Sequence, residues 1–289
     1  MVDVLPRALT IAGFDPSGGA GVLADARTFA RFGFEASAAI TSITFQNSAR
    51  VFGVAHQTSE ALRAQVMPLL EVYRFACAKT GMLPTQEIIL EVARLFRETN
   101  LPRPVVDPVL VSSSGQRLME ENALDAFIHE LIPLARLLTP NIPEAETLTR
   151  ITITSEADMR LAAATIRQMG ARAVLIKGGH LKGRKAEGSR QKAEGNAETE
   201  TDQARDASDE AIDVLDNEGK VTVFREQRID GAELHGSGCI LSAAIAAGLG
   251  NGMRLEDSVG AAKSFVLEGL RNSARIKLGQ VSRSSESSL

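Results

Sequence analysis

Apolar and polar positions along this chain fall into blocks whose period switches between two and about 3.6. Residues 4–12 form a short apolar run that ends in the glycine-rich stretch Gly13-Phe-Asp-Pro-Ser-Gly-Gly-Ala-Gly21. A helical pattern follows to about Phe32, where Gly33 stops it. Apolar or β-branched runs recur at 38–45, 51–55, 74–78, Val105–Val106, Leu137–Leu138 and 173–176. Helical patterns lie between many of them, at about 59–71, 85–97, 120–131 and 155–169. This alternation predicts a mostly parallel sheet with helices on both faces. Residues 211–215 and 221–225, joined through Asp216-Asn-Glu-Gly219, predict an antiparallel hairpin instead.

Two stretches break the pattern. Residues 183–210 contain no Val, Ile, Leu, Met or aromatic residue. Such a segment buries too little apolar surface to offset its ordering entropy and is predicted to be a disordered insertion. The serine-rich residues 279–289 are predicted to be a flexible tail, which leaves a single domain over 1–278.

Composition narrows the partners. Hydrophobic residues make up 44% of the 289, enough for a sizeable core, while aromatics are only 4% and Trp is absent. Net charge is −4 with no basic stripe, which argues against nucleic acid. No stretch approaches the roughly 20 apolar residues of a membrane span. Two isolated cysteines, Cys77 and Cys239, fit a reducing compartment rather than a disulfide framework. The first residues lack a secretory signal pattern, so a cytoplasmic protein is expected. Four scattered histidines and no Cys-x-x-Cys predict no structural zinc. The expected partner is a small molecule.

Candidate chemistry lies at the predicted carboxyl ends of the strands, where open parallel sheets bind ligands. His235-Gly-Ser-Gly-Cys239 runs into a helix rich in small residues. Glycines 236 and 238 allow a tight turn, and free backbone N–H groups at the helix start would make an anion site. The plainer alternative is a glycine-capped turn with Cys239 as filler. Asp25 falls on the core-facing side of the first helix, where a carboxylate needs a partner or a ligand. Gln46-Asn47 offers a carboxamide that matches the edge of an aminopyrimidine, or serves as a loop cap. Asn141 and Glu144 flank a helix start near Asp107-Pro108; these oxygens suit Mg²⁺ and its waters, or form an ordinary capping box. Lys177, beside two glycines, can reach a phosphate or snorkel to solvent. The first glycine loop fits neither the P-loop nor the dinucleotide fingerprint.

Taken in order, Thr10-Ile-Ala-Gly-Phe-Asp-Pro-Ser-Gly-Gly-Ala-Gly21, Gln46-Asn47, Lys79-Thr-Gly-Met82, Asp107-Pro-Val109, Pro140-Asn-Ile-Pro-Glu-Ala145, Lys177-Gly-Gly-His180 and His235-Gly-Ser-Gly-Cys239 are similar to one family. The chain resembles the hydroxymethylpyrimidine/phosphomethylpyrimidine kinases of thiamin biosynthesis, within the ribokinase-like superfamily, over about residues 8–182 and 211–272. The resemblance implies a three-layer α/β/α fold with a mostly parallel central sheet and a β-hairpin near 211–225. It implies that Gly13, Asp25, Thr44, Gln46, Met82 and Val109 line a pyrimidine pocket. Gly236, Ser237, Gly238 and Cys239 would form the anion hole, with Cys239 the candidate base, its thiol acidified by the helix N-terminus. Lys177 would touch the nucleotide phosphates, and Asn141, Glu144 and Asp107 would serve ATP and Mg²⁺. A homodimer is implied too. The implied reaction is stepwise: ATP phosphorylates 4-amino-5-hydroxymethyl-2-methylpyrimidine, and a second ATP extends the monophosphate to the diphosphate.

The match has departures. Ser237 and Ile240 replace commoner threonines, and Gly231-Ala-Glu-Leu234 lacks threonines that often precede the motif's histidine. The alternatives are a pyridoxal kinase on the same scaffold and a catalytically silent pyrimidine-binding protein.

Overall fold

The computed structural model describes residues 5–47, 50–112, 115, 117–179, 210–227 and 235–286, with side chains to 271. Among the described residues nine strands form one sheet in the order β3-β2-β1-β4-β5-β6-β7-β8-β9. They are β1 (Arg7–Phe14), β2 (Glu35–Gln46), β3 (Val51–His56), β4 (Phe75–Thr80), β5 (Val105–Val106), β6 (Leu137–Leu138), β7 (Ala173–Gly178), β8 (Glu210–Asn217) and β9 (Lys220–Gln227). The run β2-β1-β4-β5-β6-β7 is parallel, and antiparallel pairs close both sides: β3 on β2, then β8 on β7 and β9 on β8.

The sheet separates two apolar layers because strand residues alternate between its faces. Leu9, Ile11, Val174 and Ile176 pack with α2 (Ser59–Val72), α3 (Gln86–Glu98), α5 (Ile142–Thr149) and α6 (Glu156–Gln168). Ala8, Ala173, Leu175 and Leu215 pack on the other face, with α1 (Gly21–Arg31), α7 (Ser237–Gly250) and α8 (Leu255–Glu286). Side chains fix several helix starts: Thr58 and Thr85 cap α2 and α3, and Ser155 with Asp158 closes a capping box on α6.

The departures from the sequence pattern are local. Of 120–131, only α4 (Ala123–Ala126) is α-helical; the chain widens to a π-turn at Phe127–Leu131 and tightens to a 3₁₀ turn at Ile132–Leu134. Pro133 has no N–H with which to continue an α ladder. The first strand reaches Phe14, so Gly13 and Phe14 belong to the sheet rather than the loop. The last helix runs on to Glu286 where a tail was expected; no proline interrupts it. The 183–210 insertion lies outside the described residues up to Glu210, which opens β8, as does Gly231–Leu234.

β1 is the topological switch point. The chain passes from β1 to β2 on one side and returns to β4 on the other, which opens a crevice at their carboxyl ends.

Candidate active site

The crevice has two halves. In the first, β1 and β4 end side by side, and a β-carbon at Gly13 would come within 3.1 Å of the Met82 sulfur. Thr41 donates to the Met82 carbonyl at 2.7 Å, and Thr44 to the Phe14 carbonyl at 2.9 Å. Past Ile43, β2 leaves β1 and pairs only with β3, so this two-stranded ribbon carries Thr44 and Gln46 beyond the sheet. Gln46 hydrogen-bonds Asp15. Asp15 is a buried carboxylate that accepts from the Ser17 backbone (2.8 Å), the Ser17 hydroxyl (2.7 Å) and Ala20 N (2.9 Å). Burial alone would raise its carboxyl, but these bonds hold it below the usual value.

Asp25 is enclosed completely, at 0% exposure. Its Oδ2 accepts from Thr10 at 2.6 Å, and both carboxylate oxygens accept from the Lys79 ammonium, Oδ2 at 2.8 Å and Oδ1 at 2.9 Å. Burial raises the Asp25 carboxyl against the pull of Lys79; Asp25 in turn keeps the Lys79 ammonium above its usual range despite burial. Asp25, expected to line the pocket, is here fully enclosed and paired with Lys79. Gly81 makes room for this, since a β-carbon there would lie 2.9 Å from Lys79 Nζ.

The second half gathers the ends of β5, β6 and β7 beneath the start of α7. Lys177 Nζ donates to Asp107 Oδ1 at 3.0 Å; Thr139 (3.2 Å) and Ser242 (3.3 Å) donate to the same carboxylate. Asn141 caps α5, accepting from Glu144 N at 2.9 Å, while Glu144 Oε2 accepts from Asn141 N at 2.8 Å. The plain capping box therefore forms. The same Glu144 also faces the charged cluster: burial pushes its carboxyl up to about 7, Lys177 opposing and Asp107 reinforcing. Burial opposes but does not prevent the lowering of Asp107, which Lys177 and Lys79 hold ionised. Val109 follows on the same loop, its N–H on the Asp107 carbonyl at 2.9 Å.

α7 begins at a left-handed Gly236 (φ 76°) with no side-chain cap, so its first N–H groups are left to a ligand or to solvent. A β-carbon on Gly238 would lie 3.2 Å from Lys177 Nζ and 3.8 Å from Asp107 Oδ2, so the helix start, the lysine and the carboxylate share one spot. The two glycine turns interlock. A β-carbon on Gly236 would overlap the Gly19 carbonyl, one on Gly19 would overlap the His235 ring, and His235 Nε2 lies 3.2 Å from Asp15. The two halves thus form one cleft.

Cys239 corrects a second expectation. Burial pushes its thiol up to about 11 rather than down; Lys79 and a Gly21 backbone bond pull against this, and Asp107 and Asp25 reinforce it. The helix N-terminus acts locally, whereas burial by the folded chain, reinforced by two carboxylates from elsewhere in the fold, outweighs it.

The Mg²⁺ donor set can be tested on charge and chemistry. Among the described residues no three His, Cys, Asp or Glu side chains cluster as a dedicated metal cage. Two carboxylates share one ammonium at Lys177, which leaves excess negative charge for a cation. Mg²⁺ usually takes one or two carboxylates and completes its shell with waters and phosphates, so Asp107 and Glu144 fit that pattern. Residues that sequence reasoning left without a role are Asp15, Lys79, Thr139 and Ser242. Asp15 carried a local signal as the Asp-Pro opening a glycine turn, and Lys79 as the first residue of Lys79-Thr-Gly-Met82.

Comparison with known proteins gives the family. A family model described as phosphomethylpyrimidine kinase matches residues 15–284. The chain is 37% identical over 274 residues to a hydroxymethylpyrimidine/phosphomethylpyrimidine kinase of Rhizobium meliloti, covering 94% of this chain and 93% of that one. The crystal structure of a phosphomethylpyrimidine kinase from Clostridium difficile superposes with a TM-score of 0.74 at 34% identity, over 91% of this chain and 99% of that one. A pyridoxal kinase from Staphylococcus aureus, solved with AMP-PCP and pyridoxal, gives a TM-score of 0.77 at 29% identity, over 93% and 89%.

Proposed function

The chain belongs to the phosphomethylpyrimidine kinase family, and from that premise we propose how its residues phosphorylate a thiamin precursor. The enzyme is a ribokinase-like phosphotransferase that uses ATP to phosphorylate hydroxymethylpyrimidine and then its monophosphate. The observation that carries this reading is the interlock of Gly19 with Gly236, which sets the Gly13–Met82 pocket against the uncapped start of α7.

The pyrimidine lies between Gly13, Met82, Val109 and Thr44, with the Gln46 carboxamide reading its amino edge. Its hydroxymethyl arm points to the turn Gly236–Cys239, whose N–H groups receive the transferring phosphoryl group. Lys177, swinging from Asp107, contacts the nucleotide phosphates. Mg²⁺ neutralises phosphate charge when bound with ATP; Glu144 and Asp107 would hold it, with Asn141 fixing the backbone of Glu144. In the first step the hydroxyl loses its proton, its oxygen bonds to the γ-phosphorus, and the bond to ADP breaks. Cys239 is the candidate acceptor of that proton, in the small thiolate fraction that Lys79 supports. The second step needs no such base, because the accepting phosphate is already an anion. Transfer otherwise depends on alignment and charge.

The chain acts as a homodimer in this reading. The β2–β3 ribbon exposes Ile43, Phe45 and Phe52, the last two more than half exposed, and an apolar edge of this kind invites a partner. Light scattering of wild type against Phe52→Glu tests it.

The test of function is ADP release with ATP·Mg²⁺ and hydroxymethylpyrimidine, products resolved by mass. Two ADP per pyrimidine and a diphosphate are expected. One ADP and a monophosphate would limit the enzyme to the first step, and binding without turnover would indicate a silent binder. The likeness to the pyridoxal kinase supports a second reading, pyridoxal phosphorylation in the same cleft, decided by comparing kcat/KM for the two alcohols.

A further inference from the structure

Outside the cleft the described residues contain a second enclosed ion pair, between Asp213 on β8 and Lys263 on α8, each only 7% exposed. Asp213 is the direct antiparallel partner of Lys177. Directly opposed residues point to the same face of a sheet, with β-carbons about 4.5–5.5 Å apart. That face is the α7/α8 side, since Leu175 and Leu215, two residues away on each strand, pack there. A carboxylate therefore stands beside the lysine that should serve the phosphates. Lys177 nonetheless bonds Asp107, on the far side, at 3.0 Å. Asp213 is occupied instead: one oxygen bonds the Lys263 ammonium and the other accepts from Gly178 N at 2.8 Å. The position has to be glycine, because a β-carbon there would overlap the Ile212 carbonyl.

We propose that Lys263 and Asp213 are a positioning pair for Lys177. Lys263 neutralises the carboxylate that would otherwise capture the Lys177 ammonium, and Asp213 pins the Gly178 backbone that carries it. Buried ion pairs contribute little net stability, whereas one left with a single partner is strongly unfavourable. Lys177, the direct cross-strand partner of Asp213, is the cation that the register offers in place of a missing Lys263. This inference rests on the proposed contact between Lys177 and the nucleotide.

The experiment is calorimetric titration of AMP-PCP·Mg²⁺ and, separately, of hydroxymethylpyrimidine into purified enzyme. Lys263→Met should weaken AMP-PCP binding about tenfold, in the range of couplings between neighbouring residues, with pyrimidine affinity within about twofold. Adding Asp213→Asn should restore nucleotide affinity, because the captor is gone while an amide oxygen still accepts from Gly178 N. Lys263→Arg should behave as wild type. If Lys263→Met does not fold, Lys263→Gln carries the same expectation. Equal weakening in the single and double variants, or parallel loss for both ligands, overturns the proposal. Lys177→Met separates the two levels: if it leaves AMP-PCP affinity intact, the reading of Lys177 itself fails. If it weakens AMP-PCP while Lys263→Met does not, only the positioning role falls.

Discussion

Lys79 and Asp25, 54 residues apart in the chain, meet as an ion pair with no solvent on either side chain. The pair lies directly behind the cleft wall, and Lys79 is the cation that pulls the Cys239 thiol toward ionisation. Removing one partner strands a buried charge. Asp25→Asn should therefore cost about 3–5 kcal/mol in urea unfolding. The apolar double replacement Asp25→Leu/Lys79→Met should recover most of that loss yet remain slow in the first transfer, where the ammonium is needed. Full recovery of the rate would reduce the pair to a structural element.

The raised Cys239 thiol makes the two transfers differ in pH dependence. With the thiol at about 11, the thiolate fraction at neutral pH is small and grows about tenfold per pH unit. The first transfer, followed in single turnover from pH 6.5 to 9, should rise with that slope, and the second should not. Cys239→Ala should flatten the first profile and slow it more than the second. Equal losses in both steps would remove Cys239 from the role of base.

Much of this architecture was legible locally. The β8–β9 hairpin follows from alternation around Asn217-Glu-Gly219, and the short strands β5 and β6 from isolated Val-Val and Leu-Leu pairs between helical patterns. The glycine turns at 18–21 and 236–238 were legible because only a ligand or a tight contact requires so many glycines together. What stayed hidden depends on partners far along the chain. Nothing near Asp25 announces its pairing with Lys79, and nothing near Cys239 announces how deeply the fold buries it or that Asp107 lies close, so a raised thiol read as an acidified one. Asp213 stood in an apolar strand as one charged residue in Ala211-Ile-Asp-Val-Leu215, a hint whose meaning needed α8.

Glu144 should make the ligand-free enzyme less stable as pH rises. Its carboxyl moves from an ordinary 4.5 to about 7 on folding, so between those values the folded chain binds more protons than the unfolded one. Stability then falls with rising pH across that window. Glu144→Gln keeps the capping box, because glutamine also serves at that position, but cannot ionise. Its melting temperature should exceed that of wild type at pH 8, with the gap closing toward pH 4.5, while Mg²⁺-dependent ATP binding is lost. A gap independent of pH would mean that Glu144 is not the titrating group.

Gly236 gives the most direct test of the anion site, because strain and function can be separated there. Its φ of 76° is left-handed, and its missing β-carbon leaves room for the Gly19 carbonyl. Gly33 shares the first property, at φ 84°, but has open space around it and lies at the far end of α1. Gly33→Ala should thus cost about 1–2 kcal/mol through backbone strain alone and leave kcat near wild type. Gly236→Ala carries the same strain, and the overlap with Gly19 also forces the turn to move, taking the N–H groups of 237–239 with it. Its kcat should fall about 10²–10³-fold, the loss seen when an oxyanion-type donor is removed, with far-UV circular dichroism unchanged. Ser237→Thr should stay within about twofold of wild type, since backbone rather than side chain would bind the phosphoryl group. If both glycine variants lost stability equally and neither lost turnover, the turn would be an ordinary helix start and the phosphoryl group would have to be held elsewhere.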